Sequence, residues 1–161
     1  MRRAKQAICE KDCLSILDRA SSGTLSLVDG AEPYAVPLNF VRCGKHIIFH
    51  SAKEGRKIEA VRKNPYACFS VIDSDLVRPE KFATDFRSVI VEGKIDFVSS
   101  ADEKKMYLRE LCKKYSPCVS SLAVEKEIEL SISSVLILRL SIESISGKVG
   151  IYIMEKENGT G

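Results

Sequence analysis

The amino-acid sequence predicts a closed antiparallel β-barrel with peripheral helices, mainly β within the α+β class. Three observations lead there. Most apolar segments are short, rich in β-branched and aromatic residues, and bounded by turn signals such as Asp29-Gly30 and Gly44-Lys45. Helical periodicity is confined to a few stretches, so strands and helices do not alternate as a doubly wound parallel sheet requires. The chain has 161 residues, which suits one domain able to bury its own core.

Residues 10–21 form the first expected helix: Cys13, Ile16, Leu17 and Ala20 make a stripe at helical spacing, and Ser22-Gly23 stops it. A short strand over 24–28 meets the Asp29-Gly30 turn. Residues 34–43 form a second strand, and Pro37 within it implies an edge or a bulge. Gly44-Lys45 turns the chain into a strand over 46–50, so 34–50 reads as a hairpin. A helix over 54–63 has Ile58 and Val61 as its inner face and Asn64-Pro65 as its end. Residues 66–72 are a third long strand, and the polar run 73–85, with Pro79, is expected to be a loop. Residues 86–98 are a strong strand with Gly93 marking a bulge or bend. Ser100 and Glu103 have capping-box spacing for a helix over 100–115, ended by Pro117. A further helix covers 119–128. The last strands are 135–141 and 148–155, and residues 155–161 are expected to fray. The whole of 1–161 is one domain, with neither repeats nor low-complexity segments.

The hydrophobic fraction is 45% and the charged fraction 29%, ordinary for a soluble domain. A net charge of +3, mixed in sign along the chain, disfavours a dedicated nucleic-acid or membrane binder. The basic start Met1-Arg2-Arg3 is not followed by an apolar signal region, and no run approaches the roughly 20 apolar residues of a membrane span. A cytoplasmic protein is expected. The six cysteines match no zinc framework, and Cys43 and Cys68 fall inside strands as small apolar residues. Cys9 and Cys13 share a helix face, but with only His46 and His50 as imidazoles no metal site is assigned.

The chemistry concentrates in Phe49-His50-Ser51-Ala52-Lys53-Glu54-Gly55-Arg56-Lys57. An apolar strand ends in a hydroxyl, a glycine that permits close backbone approach, and two adjacent cations. A helix following such a loop turns its free N–H groups and positive dipole end toward it. Arg supplies a fork of donors and Lys a mobile point charge, so the pair can hold a phosphate from two sides. A solvated loop with a basic helix face would show the same composition.

Three segments in order carry a resemblance: Pro33-Tyr34-Ala35-Val36-Pro37-Leu38-Asn39-Phe40, then 49–57, then Arg87-Ser88-Val89-Ile90-Val91-Glu92-Gly93. Together they resemble the pyridoxamine-5′-phosphate-oxidase-like flavoproteins, most nearly the nitroimidazole-resistance branch, over nearly the whole chain. The resemblance implies a six-stranded split β-barrel, a homodimer, and flavin mononucleotide (FMN) at the subunit interface. It implies that Pro37, Leu38, Asn39 and Phe40 run beside the flavin ring. It places His50 and Ser51 at the ribityl and phosphate end, and makes Arg56 and Lys57 the phosphate clamp. Ser88 and Val89 would meet the flavin, across the dimer if the partner supplies them, and Lys148 would lie near the ring. His50 would be the catalytic residue, donating a proton to or orienting a substrate; packing against the ring or satisfying a backbone carbonyl are the other roles open to it.

The implied activity is FMN-dependent reduction of small planar electron acceptors such as 5-nitroimidazoles and other nitroaromatics. The electron donor would be NAD(P)H or a reduced flavin; without a dinucleotide-binding fingerprint, a nicotinamide would bind transiently over the flavin. A non-catalytic flavin or haem binder, serving as sensor, carrier or store, is the competing reading. The chain lacks Trp and the C-terminal segment of the vitamin-B6 oxidases proper, so that activity is not expected.

Overall fold

The computed structural model describes residues 4–157. After a 3-10 turn at Ala4–Gln6 the order is β1 (Ala7–Ile8), α1 (Glu10–Arg19), β2 (Ser22–Asp29), β3 (Glu32–Asn39), β4 (Val41–Cys43) and β5 (His46–Ala52). Then come α2 (Arg56–Lys63), β6 (Tyr66–Arg78), β7 (Ala83–Phe97), α3 (Ala101–Tyr115), α4 (Ser121–Ser131), β8 (Val135–Ser141), β9 (Ser144–Val149) and α5 (Ile151–Glu157).

All strand pairings are antiparallel, and the path runs β3-β2-β6-β7-β8-β5-β4, with β9 on β7 and β1 on β9. The expected antiparallel, β-rich architecture with peripheral helices is present. The expected six-stranded closed barrel is not: nine strands form an open, branched sheet. Its two ends, β3 and β4, are consecutive in the chain and joined through Phe40, yet no ladder connects them among the described residues. The two run on from one another with no turn between them, so they cannot pair with each other, and each instead pairs with a different neighbour, β3 with β2 and β4 with β5.

Strand β7 holds the sheet together. It pairs with β6 along its length, with β9 over Arg87 to Glu92, and with β8 over Ile95 to Phe97. The exchange of β9 for β8 occurs at Gly93, where a Cβ would lie 1.8 Å from the Ser141 carbonyl oxygen. The residue therefore marks a bend and a close strand crossing; the ladder irregularity lies elsewhere, between Ile72 and Ser74. Gly93→Ala is expected to cost about 2 kcal/mol or more by overpacking. An unchanged midpoint in urea unfolding would show that β8 can move aside.

Two hydrophobic clusters form. The first fills the curved sheet with Leu25, Phe40, Phe49, Phe69, Val71, Val89 and Leu138, and α1 closes it with Cys13, Ile16 and Leu17. The second lies between β5, β8 and the α3–α4 pair, with Ile48, Ile137, Tyr107, Leu108, Leu111 and Ile128. Strand β5 is buried on both faces, which is why it reads as the continuous apolar run Ile47-Ile48-Phe49.

Three expectations are corrected. Residues 73–85 are not a loop: β6 and β7 continue as a long hairpin whose tip is the 3-10 turn Pro79–Lys81 and Phe82, a non-glycine at φ 47°. Pro79 sits at the turn, where its fixed φ is useful and no ladder bond is lost. The final strand is Ser144–Val149 and not 148–155; Gly150 breaks it and Ile151–Glu157 is helical. The first helix stops at Arg19 because β2 claims Ser22 onward. The basic terminus 1–3 and the tail 158–161 lie outside the described residues.

Candidate functional site

The predicted residues fall on four places in the fold. On β5, His50 and Ser51 are neighbours and so project to opposite faces. Ser51 is buried on the side of Ile47 and Phe49, in the main core. His50 is exposed on the side of Ile48, toward α3 and α4. It lines an open cleft of about 460 Å³ with Asn39, Leu108, Leu111, Ile128 and Val135.

The loop after β5 reaches α2 through Gly55, whose φ of 120° is accessible to glycine and strained for any other residue. The Ile58 and Glu59 N–H groups close the first turn onto the Gly55 carbonyl at 2.9 and 3.2 Å. Those of Arg56 and Lys57 have no helical acceptor, and no side chain caps the helix. The two cations differ. Arg56 donates to Asp29 Oδ2 at 3.0 Å and Glu32 Oε2 at 2.7 Å, and lies over the Tyr34 ring at 4.9 Å. Asp29 is held below the usual carboxylate range by Lys63 and then Arg56. Lys57 is half-buried and makes no hydrogen bond or ion pair with the described residues; burial pushes its ammonium below the ordinary lysine value.

At the end of β3, Asn39 Nδ2 donates to the Ser21 carbonyl at 2.9 Å. Phe40 is wholly buried against Phe69. Its N–H donates to Tyr115 Oη at 2.8 Å, and that hydroxyl lies 2.7 Å from the carbonyl oxygens of both Phe40 and Ser21. Tyr115 thereby pins the junction of β3 and β4 to α3. Pro37 is exposed and Leu38 partly buried on the edge strand, whose outer main-chain groups have no partner strand.

Ser88 and Val89 are mid-strand on β7. Val89 is core; Ser88 lies on the outer face between Ile72 of β6 and Lys148 of β9. Structure thus pairs Ser88 with Lys148, and Asn39 with His50. The cavity that Asn39 and His50 line does not include Ser88 or Lys148. His50 is opposite Ile137, whose carbonyl accepts from the Val98 N–H at 3.0 Å. The run from Ser88 to Val98 measures roughly 30 Å when extended.

Sequence reasoning missed Asp29 and Glu32 as the partners of Arg56, and Tyr115, Glu127 and Ser131 as residues beside His50. The acids flank Gly30 in a turn, which signalled the turn but not its place beside α2. Tyr115, at the end of a helical stripe, gave no sign of its distant backbone acceptors.

The model of the pyridoxamine 5′-phosphate oxidase family matches residues 10–149. Among curated proteins, none matches the chain. A protein of Bacteroides thetaiotaomicron, described as a candidate 5-nitroimidazole antibiotic resistance protein, is 23% identical, with a TM-score of 0.75 over 89% of this chain and 86% of its own. An FAD and heme binding protein of Mycobacterium smegmatis is 22% identical, with a TM-score of 0.73 over 91% and 74%. An FAD-binding protein of Mesorhizobium loti is 21% identical, with a TM-score of 0.67 over 90% and 97%. At such identities the likeness speaks for a shared fold. With most of its length matched by the family model and its sheet shared with these structures, the chain belongs to the pyridoxamine 5′-phosphate oxidase family.

Proposed function

We propose that the protein binds a flavin, specifically FMN, and serves as a reductase of small planar electron acceptors such as 5-nitroimidazoles and nitroaromatics. The observation that supports this most directly is the start of α2: a left-handed glycine, two N–H groups without helical acceptors, and a half-buried lysine with no partner among the described residues. Such a donor set suits a phosphate dianion and gains nothing from remaining empty, because a half-buried ammonium without a counter-ion is costly. Family membership and structural neighbours named for flavin binding point the same way.

The residues divide the work as follows. Lys57 and the α2 N-terminus would hold the phosphate, while Arg56, braced by Asp29 and Glu32, would stiffen the loop and lend a share of its charge. The unpaired edge of β3 around Pro37, Leu38 and Asn39 would run beside the ring. His50, exposed near the end of β5 where its cleft opens, would donate a proton to or orient the acceptor. The flavin, when bound, supplies electron transfer at a potential tuned by nearby donors. Electrons would come from NAD(P)H or a reduced flavin.

That Ser88 and Lys148 do not line the cavity of His50 supports a homodimer, in which a second chain would bring them to the same flavin. The outer face of β2, β6 and β7 is uncovered and carries Val28, Ile72 and Ile90, which are 44%, 65% and 42% exposed. A patch of this kind suits a self-complementary interface. Ile90→Glu is expected to shift sedimentation from dimer to monomer and to weaken FMN binding at least about tenfold, since charges at an interface core are excluded. A variant that stays dimeric and keeps its flavin would place the interface elsewhere.

The reductase reading is tested by following the visible absorption of purified protein anaerobically as NADH or NADPH and then a 5-nitroimidazole are added. Flavin bands should bleach with donor and return with acceptor. Bands that form but never bleach leave a non-catalytic flavin binder; absence of FMN binding defeats the proposal. A haem-binding alternative is favoured by one feature, an exposed imidazole, His50, at an apolar cleft. A Soret band on haem titration that His50→Ala abolishes would support it. For localisation, a cytoplasmic site is proposed; no helix among the described residues is long and apolar enough to cross a membrane.

A further inference from the structure

The cleft beside His50 has an asymmetry of charge. Its walls are apolar, built from Leu108 and Leu111 of α3 and Ile128 of α4. Its polar rim has Asn39 and His50 on the sheet side, Tyr115 and Ser116 at the end of α3, and Glu127 and Ser131 on the α4 side, Glu127 being the one carboxylate among them. Among the described residues, neither lysine nor arginine lines it. The nearby cations of α3 are directed elsewhere: Arg109 is bound through two hydrogen bonds to Glu125 at 2.6 and 2.7 Å, and Lys113 to Glu110 at 2.7 Å. Lys114 donates to the Leu17 carbonyl and lies 4.1 Å over the Phe40 ring. The Ser131 hydroxyl donates to the Glu127 carbonyl at 2.8 Å, leaving the cleft with acceptors and a single carboxylate on that side.

We infer that this cleft seats the electron acceptor and that Glu127 selects it by charge, admitting neutral and cationic planar heterocycles and turning away carboxylates and phosphates. The volume, about 460 Å³, suits a single- or two-ring ligand. Apolar walls favour a flat ring, and an anion entering would be desolvated beside a carboxylate with no cation to meet it. Glu127 is exposed, so its influence is that of a rim charge: a preference of several-fold, stronger at low salt. The identity of the occupant as an electron acceptor rests on the reductase reading; the charge preference of the cleft does not.

The test is direct binding by isothermal titration calorimetry, at pH 8 and low salt, of neutral 2-methyl-5-nitroimidazole and anionic 4-nitrobenzoate. Both flavin-free and FMN-loaded full-length protein are titrated. The neutral probe should bind at least about fivefold tighter than the anion. Glu127→Gln should narrow that gap and Glu127→Lys should reverse it, with His50 resonances shifting on binding in NMR spectra. Equal affinities for the two probes, a gap insensitive to Glu127, or no binding to either form would overturn the inference. A chain that reduces nitroimidazoles with no Glu127 effect keeps the reductase reading and loses this one. A chain that binds no flavin yet shows the Glu127-dependent gap does the reverse.

Discussion

Phe69→Ala is expected to destabilise the fold by about 3–5 kcal/mol, the largest stability effect of any single truncation considered. Phe69 is wholly buried on β6, edge-on to Phe40 at 4.8 Å and to Phe49 at 5.0 Å. It therefore joins three parts of the sheet: β6, the β3–β4 junction and β5. On its other side it packs so tightly on β2 that a Cβ at Gly23 would lie 2.4 Å from its ring. Removing the ring leaves a cavity lined by two aromatics and backbone, neither of which can collapse into it. Domains are stable by only about 5–15 kcal/mol, and the loss would lower the melting temperature by about 6–20 °C. Phe69→Leu, which retains most of the volume, should cost less than about 1.5 kcal/mol. Urea denaturation with matched m-values checks both. A loss below about 1 kcal/mol for the alanine variant would mean that Phe40 and Phe49 re-pack across the gap.

The second large effect is on binding. Lys57→Glu is expected to weaken FMN about a hundredfold or more (~2.7 kcal/mol), by removing a charge-assisted donor and placing a carboxylate beside a dianion. Half-burial of Lys57 limits screening by salt, so the effect should persist at moderate ionic strength. Arg56→Ala should cost far less, because its guanidinium is already shared between Asp29 and Glu32. Riboflavin, which lacks the phosphate, should bind wild type and Lys57→Glu with the same affinity. Fluorescence quenching titrations of both flavins measure this. If FMN and riboflavin are weakened equally, or Arg56 proves the more important cation, the phosphate is not at the start of α2.

Several features were legible in the residues themselves. Helical stripes and caps located α1, α2, α3 and α4 to within a few positions, because helix periodicity and end signals are local. The Ser100 hydroxyl does accept from the Glu103 N–H, at 3.4 Å, as capping-box spacing implies. Pro37 announced an edge strand. The loop, glycine and adjacent cations before and within α2 were legible as a strand end followed by a helix start, and three ordered motifs indicated the family. The stretch 73–85 reads as a loop because its polar residues come in runs around Pro79, and most of it lies exposed on a two-stranded arm where no buried face imposes an alternating pattern. The C-terminal helix was misread because Ile151-Tyr152-Ile153 has strand propensity, which Gly150 and the contact of α5 with β7 override.

What local chemistry determined, then, is which segments become helices or strands and that Gly55, Arg56 and Lys57 stand together at a helix start: these depend on side-chain periodicity and end signals. What only the tertiary structure decided is how those residues are shared out. It tied Arg56 to the β2–β3 turn and left Lys57 without a partner among the described residues. It sent His50 and Ser51 to opposite faces of β5, put an acidic residue, Glu127, on the rim beside His50, and set Ser88 beside Lys148 on β7 and β9, outside the cleft of His50. Those outcomes arise from ladders and helix packing between segments far apart in the chain, whose register is set by burial of both faces of β5 and the bend of β7 at Gly93. No local pattern encodes them.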